Sequence, residues 1–163
     1  MTVRDALLER RSIRKFKETK LSEEQIRLLL EAAMAAPTGR NAKPWKFYVV
    51  TDEEVLAKIR EGIGPHGNYP APCAILVTGN ENISNLWTSD CGAATENIML
   101  QAVELGLGTL WLAEYPLEPR MASIRSIIKL EDGEIPFSLI YVGVPDIRPE
   151  PRTQYEEDKI IRI

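Results

Sequence analysis

A run of apolar residues between Pro72 and Gly79 limits the folds open to this chain. It reads CAILVT over 73–78. No polar residue alternates along it, so the pattern predicts a short strand that is buried on both faces. Other elements must then cover the sheet on both sides. A chain of 163 residues, 44% of them hydrophobic, is long enough for this, because chains of this size bury about 70% of their unfolded surface.

Helical and strand patterns alternate along the rest of the chain. Two helix starts carry capping boxes, Thr2 with Asp5 and Ser22 with Gln25. The helices are unequal and the loops long, which favours an α+β domain over 1–163, with a central mixed or antiparallel sheet flanked by helices. Helices are predicted at 2–11, 22–36, 52–61, 85–105 and 119–130, and strands at 45–50, 73–78, 109–113 and 137–142.

Composition argues against several classes of function. The net charge is −4, so nothing draws the whole chain to nucleic acid or to an anionic membrane, and the basic stretch 10–20 lacks the interleaved aromatic residues of a nucleic-acid binder. Cys73, Cys91 and His66 show no metal-ligand spacing, and we expect them to be structural or incidental. The N-terminus has no apolar run of signal-peptide length, so a cytoplasmic location is expected.

One motif match is rejected. The residues 62–67, GIGPHG, fit the GxGxxG pattern of dinucleotide-binding proteins. That fingerprint needs a strand before it and a helix after it, whereas here a helical pattern precedes it and prolines follow. The segment 62–72 is better interpreted as a long loop, of a kind that often borders active sites.

Four other segments could carry chemistry, although each one alone also fits a structural role. Arg10, Arg11, Ser12 and Arg14 leave the end of a helix, and their donors suit a phosphate dianion. The loop at 37–45 displays Thr38 and Asn41, whose side chains both donate and accept, as a heteroaromatic ring requires. The third segment, LGLGT at 105–109, leads into a strand that carries Trp111 and Leu112. The fourth follows Gly143 and Pro145 and contains Arg152.

The order and spacing of these four segments resemble the nitroreductase-like family of FMN-dependent oxidoreductases over nearly the whole chain. That resemblance implies a nitroreductase-like fold, a symmetric homodimer with FMN at the subunit interface, and a C-terminal tail, from Pro145 onward, laid along the partner. Two positions depart from the family pattern: Thr38 stands where Ser is usual, and Lys43 where Gln is usual, which leaves the role of Lys43 open. The chain is also short for the family.

The resemblance also implies roles for particular residues. Arg10, Arg11, Ser12 and Arg152 would hold the phosphate and ribityl end of FMN, and Arg14 would lie at the pyrimidine edge of the ring. The backbone at Trp111 and Leu112 would flank the central ring. A loop from the other subunit would supply Pro37, Thr38, Gly39 and Asn41.

The activity implied is a ping-pong reaction in which NAD(P)H reduces FMN and a small acceptor, such as a nitroaromatic compound, a quinone or a flavin, reoxidises it. Because the flavin performs the redox chemistry and no general acid or base is evident, no catalytic side chain is assigned. A non-catalytic flavin-binding or sensing module of the same fold is the main alternative. A specialised dehalogenase-like or flavin-cleaving enzyme is a weaker alternative, since no added lid segment is visible.

Overall fold

The structure is a computed structural model and describes residues 1–65 and 67–163. A sheet of four strands forms its centre: β1 (Trp45–Val50), β2 (Cys73–Gly79), β3 (Gly108–Ala113) and β4 (Ile135–Gly143). Their order in the sheet is β1-β2-β4-β3. Every neighbouring pair of strands is antiparallel, which decides between the predicted mixed and antiparallel sheets.

Strand β2 is buried along its whole length, as the apolar run predicts. Cys73, Ile75 and Val77 point into one core cluster, whereas Ala74 and Leu76 point into the other. Side chains alternate between the faces of a strand, so a continuous apolar run supplies both clusters. Full burial of a side chain such as Ile or Leu stabilises the fold by about 1.5–3 kcal/mol.

Helices cover both faces of the sheet. They are α1 (Val3–Glu9), α2 (Glu23–Met34), α3 (Glu53–Ile63), α4 (Trp87–Glu104) and α5 (Glu118–Ile127). Helices α2 and α4 share one core cluster with the sheet, α3 and α5 share the other, and α1 packs on α4. Both predicted capping boxes are present, and the Asp52 side chain caps α3 by accepting from the Val55 N–H. None of the helices in the described parts of the chain is long and apolar enough to cross a membrane.

Some predicted boundaries are wrong by two or three residues. Helix α4 begins at Trp87 rather than at 85, because the Ser84 hydroxyl accepts from the Leu86 N–H and so favours a turn there. Helix α5 ends at Ile127, because Ile128 is already extended. Strand β4 begins two residues earlier than predicted, at Ile135.

The described residues of the rejected glycine motif follow a helix, whereas the dinucleotide fingerprint requires a strand before it. Helix α3 continues to Ile63, so the first glycine of the motif is helical, and Gly64 ends the helix with a φ of 78°. The loop therefore begins at Gly64, two residues later than the predicted start at 62. Both cysteines are free and buried in the core, as structural residues would be. The expectation for His66 falls outside the described residues.

Residues beyond α1 form an extended segment that is hydrogen-bonded to the chain just after β4. The Lys17 N–H donates to the Val144 carbonyl at 2.9 Å, and the Asp146 N–H donates to the Lys15 carbonyl at 3.0 Å. After Asp146 the chain continues as an exposed tail, whose secondary structure is one 3-10 turn at Glu157–Lys159. What covers this tail stays a prediction.

One buried carboxyl group lies just past the end of β3. Glu114 is fully buried, and neither of its oxygens has a hydrogen-bond partner among the described residues. The hydroxyl of Tyr141, also fully buried, likewise has none in the described parts of the chain. Burial raises the pKa of Glu114 from its ordinary 4.5 to about 7, and the charge of Arg120 opposes the shift only partly.

This raised pKa predicts a stability that falls with pH. The folded state disfavours the ionised form of Glu114, so the free energy of unfolding should decrease as pH rises through the window from 4.5 to about 7. The loss between about pH 4 and about pH 8 should be on the order of 3 kcal/mol. Urea unfolding at both pH values measures it, with Glu114→Gln as the variant that should lack this component. If the free energy of unfolding changes equally with pH in the wild type and in the variant, Glu114 does not titrate as described.

Candidate functional site

Strand β3 lies at one edge of the sheet, between β4 and the segment that follows α1. Ser12 forms a parallel bridge with Thr109, and the Ile13 N–H donates to the Thr109 carbonyl at 2.8 Å. Gly108 permits this approach, because a Cβ there would lie 2.5 Å from Cγ1 of Ile13. The arginine-rich segment is therefore held against the start of β3.

Beyond this bridge, the outer edge of β3 carries open polar backbone groups. The Thr109 carbonyl points outward to Ile13, and the Ala113 carbonyl points outward to accept from Nη1 of Arg120 at 3.1 Å. Backbone groups alternate in direction along a strand, so the N–H and C=O of Trp111 also point outward. Among the residues that the structure describes, no backbone group pairs with them. A planar ligand with donors and acceptors on its rim could bind along this edge.

Aromatic side chains border the open edge. Trp111 is 36% exposed, and its ring centroid lies 6.1 Å from that of Phe137. Trp87 packs edge-on against Phe137 and, at 4.8 Å, against the half-exposed Tyr115. The side chain of Leu112 is buried in the core, and by the same alternation its N–H and C=O point toward β4, so this residue can flank a ligand but cannot hydrogen-bond to it along this edge.

Two arginines line a cleft of about 240 Å³ beside the arginine-rich segment. Nη1 of Arg11 donates to the Glu150 carbonyl at 2.5 Å, and Nη2 of Arg148 donates to the Gly106 carbonyl at 2.7 Å. Each guanidinium has five N–H donors, so donors remain for an anion. Glu150 and Glu9 also line the cleft and offset part of its positive charge. Sequence analysis missed Arg148, whose only signal is its place between Gly143 and Arg152.

The other predicted basic residues do not line this cleft and have different surroundings. Nε of Arg10 is 3.4 Å from a carboxylate oxygen of Glu96 on α4; burial raises the pKa of Glu96, and Arg10 partly offsets the shift. Arg14 is exposed and makes no ion pair within the described parts of the chain. The backbone N–H of Arg152 donates to the Leu8 carbonyl at 3.1 Å, which fastens the tail to the end of α1.

The loop between α2 and β1 is held by a residue that sequence analysis missed. The Thr38 hydroxyl donates to the Asp90 carboxylate at 2.9 Å, and the Gly39 N–H donates to the same carboxylate at 3.2 Å. The Lys43 N–H in turn donates to the Thr38 hydroxyl at 3.0 Å. Asp90 lies in the first turn of α4 and is buried. Its separation of 52 residues from Thr38 hides the contact from any local pattern.

The same loop adopts a strained backbone. Arg40, Asn41 and Lys43 have φ values of 56°, 56° and 50°, in the left-handed region that non-glycine residues rarely occupy. Such conformations cost on the order of 1–3 kcal/mol each and cluster at functional sites. The strain marks this loop as a candidate binding element.

Within one chain the predicted site residues fall into two groups. The first group surrounds the end of α1 and the outer edge of β3, and it contains Arg10, Arg11, Ser12, Arg14, Trp111, Leu112 and Arg152. The second lies in the loop beside the start of α4 and contains Pro37, Thr38, Gly39 and Asn41. Among the described residues, no hydrogen bond or ion pair joins the two groups.

Comparison with known proteins is consistent with this geometry. The sequence profile of the nitroreductase family matches residues 7–66 and 67–144. A protein of Methanothermobacter thermautotrophicus that bears the name NADH dehydrogenase/NAD(P)H nitroreductase is 41% identical over 165 residues, which cover 98% of this chain and 86% of the relative.

Solved structures agree with the sequence comparison. An FMN-dependent nitroreductase of Clostridium difficile is 27% identical with a TM-score of 0.89, and the match covers 96% of both chains. A nitroreductase of Desulfovibrio desulfuricans, solved in complex with FMN, is 25% identical with a TM-score of 0.83, and 100% of this chain and 97% of that one are covered. The family profile matches most of the chain, and a relative is 41% identical over nearly its whole length, so the chain belongs to the nitroreductase family.

Proposed function

We propose that this protein is an FMN-dependent oxidoreductase that uses NAD(P)H to reduce a small acceptor, nitroaromatic, quinone-like or flavin-like, by a ping-pong mechanism. The observation that carries the proposal is the outward-facing backbone at Trp111, next to an arginine-rich segment that is hydrogen-bonded to Thr109. The names of the relatives, an NAD(P)H nitroreductase and an FMN-dependent nitroreductase, support it. The reaction consumes NAD(P)H, a proton and the acceptor, and yields NAD(P)⁺ and the acceptor reduced by two electrons; a nitro group also loses one oxygen as water. The cytoplasm stays the predicted location.

The residues present fit the chemistry of FMN. A phosphate dianion requires several charged donors, and Arg10, Arg11, Ser12 and Arg152 surround the end of α1. The ring of a flavin alternates donors and acceptors, which is what the outer edge at Trp111 offers. A guanidinium at Arg14 would stabilise negative charge on the reduced ring more than the neutral oxidised ring.

We propose that the second group of residues meets the flavin bound by the other subunit of a homodimer. In this arrangement the loop would contribute Pro37, Asn41 and Gly39, the last without its N–H, which already donates to Asp90. Thr38 is better suited to shaping the loop than to binding, because its hydroxyl already donates its proton to Asp90 and accepts from the Lys43 N–H. Leu112 would flank the ring without hydrogen-bonding to it, since its side chain is buried and its backbone polar groups point toward β4.

FMN, when bound, supplies the redox chemistry by accepting a hydride from NAD(P)H and passing two electrons to the acceptor. The chain's own part is to hold the phosphate, to orient the ring along β3 and to favour the reduced state through Arg14. No side chain of the described residues is assigned as a proton donor.

Anaerobic reduction tests this function. The purified protein should be yellow with one FMN per chain, and NADH or NADPH should bleach the visible flavin absorbance, which a quinone should then restore. Initial rates at several acceptor concentrations should give parallel double-reciprocal lines. Bound FMN that neither nucleotide reduces would instead support a non-catalytic flavin-binding module, and a colourless protein that takes up no FMN would refute the proposal.

Arg152 provides a test of the phosphate site. Arg152→Ala should weaken FMN binding about 10- to 100-fold, as expected when a hydrogen bond to a charged group is lost. Riboflavin, which lacks the phosphate, should be affected much less. Arg162→Ala is the matched control, because Arg162 is an exposed arginine of the same tail. Equal losses of affinity for FMN and riboflavin would remove Arg152 from the phosphate site.

A further inference from the structure

We propose that Asp90 is a positioning residue for flavin binding: its buried carboxylate holds the 38–43 loop in the conformation that binds the cofactor. This inference rests on the proposed function. Asp90 would not touch the flavin itself. It would act through Thr38 and Gly39, which it binds directly.

The carboxylate of Asp90 is buried, and it accepts hydrogen bonds from two neighbouring residues of the loop. Asp90 is 5% exposed, and its Oδ2 accepts from the Thr38 hydroxyl at 2.9 Å while both oxygens lie 3.2 Å from the Gly39 nitrogen. Bonds to an ionised acceptor are about twice as strong as neutral ones. Gly39 also packs closely on the residue before α4, because a Cβ there would lie 2.6 Å from Cδ1 of Leu86. The start of α4 therefore fixes one end of the loop.

The loop needs this anchor because its backbone is strained. Its own hydrogen bonds are short-range: the Asn41 N–H donates to the Thr38 carbonyl, and the Ala42 N–H donates to the Gly39 carbonyl. They do not offset three residues with positive φ. Throughout the described parts of the chain, Asp90 is the one side chain outside 38–43 that hydrogen-bonds to this segment. The Lys43 N–H donates to the Thr38 hydroxyl, so the contact between Thr38 and Asp90 also constrains the far end of the loop.

Helix α4 also contacts the other half of the site. Glu96, less than two turns beyond Asp90, pairs with Arg10 at 3.4 Å. One helix thus holds both the loop that would serve the partner's flavin and an arginine of its own phosphate site.

An aspartate suits this position better than an asparagine. Both partners, the Thr38 hydroxyl and the Gly39 N–H, donate, and a carboxylate accepts at both oxygens. An asparagine accepts at its one oxygen only, and its NH2 group would point at one of the two donors, with which it cannot form a hydrogen bond. Asp90→Asn therefore removes part of the anchor with little change in side-chain volume.

The test measures how tightly the holoprotein retains FMN, from the fluorescence of flavin released on dilution. Asp90→Asn should raise the dissociation constant about 10-fold or more and alter the visible circular dichroism of the bound flavin. Thr38→Val should have a similar effect and Thr38→Ser almost none. The double variant D90N/T38V should bind FMN no more weakly than the weaker-binding single variant, because both substitutions disrupt the same hydrogen bond between Thr38 and Asp90. Glu54→Gln is the control for an acidic residue in the first turn of a helix, since Glu54 is exposed on α3.

Three outcomes would overturn the inference. Asp90→Asn could retain FMN like the wild type, with an unchanged dichroism spectrum. Asp90→Asn could release FMN while Thr38→Val retains it, in which case Asp90 acts on the fold and not through the loop. A wild type that binds no FMN would refute the proposed function itself, and it is recognised before any variant is compared.

Discussion

Burial of β2 and β4 on both faces determines the rest of the architecture. Their alternate side chains fill two separate cores, so helices must lie on both sides and these strands must take the two central positions. Strand β3 is left at the edge, where Trp111 and Ala113 are exposed and the outward backbone groups have few partners. The candidate site is this edge, which the hydrophobic interior leaves open.

The polar contacts of the site depend on one helix and one short segment. The hydrogen bond from Ile13 to Thr109 sets the register of the arginine-rich segment against β3, and Gly108 makes the approach possible. Helix α4 then holds the strained loop through Asp90 and contacts Arg10 through Glu96. The two groups of residues are separate within a chain but supported by the same scaffold, which is the arrangement expected if a second subunit completes the site.

Much of this could be predicted from local patterns. Strand β1 begins and ends where predicted, at Trp45–Val50, and both capping boxes form, because these features depend on neighbours in sequence. The start of α4 was misplaced, since the Ser84 hydroxyl competes with helix formation there. Asp90 and Arg148 were missed for a different reason: their partners lie 52 and 42 residues away, so only the folded chain brings them together. The order of the strands and the buried carboxyl of Glu114 are non-local in the same way.

The central claim is that the arginines of one subunit and the loop of the other form a single flavin site. A mixed dimer tests it most directly, with Arg11→Ala in one subunit and Asn41→Ala in the other, each carrying a different affinity tag. If the site is shared between subunits, one site of this dimer combines both defects and the other has none. We predict that half of the sites then bind FMN with wild-type affinity, although neither variant homodimer does. If no site of the mixed dimer reaches wild-type affinity, Arg11 and Asn41 do not serve sites shared in this way.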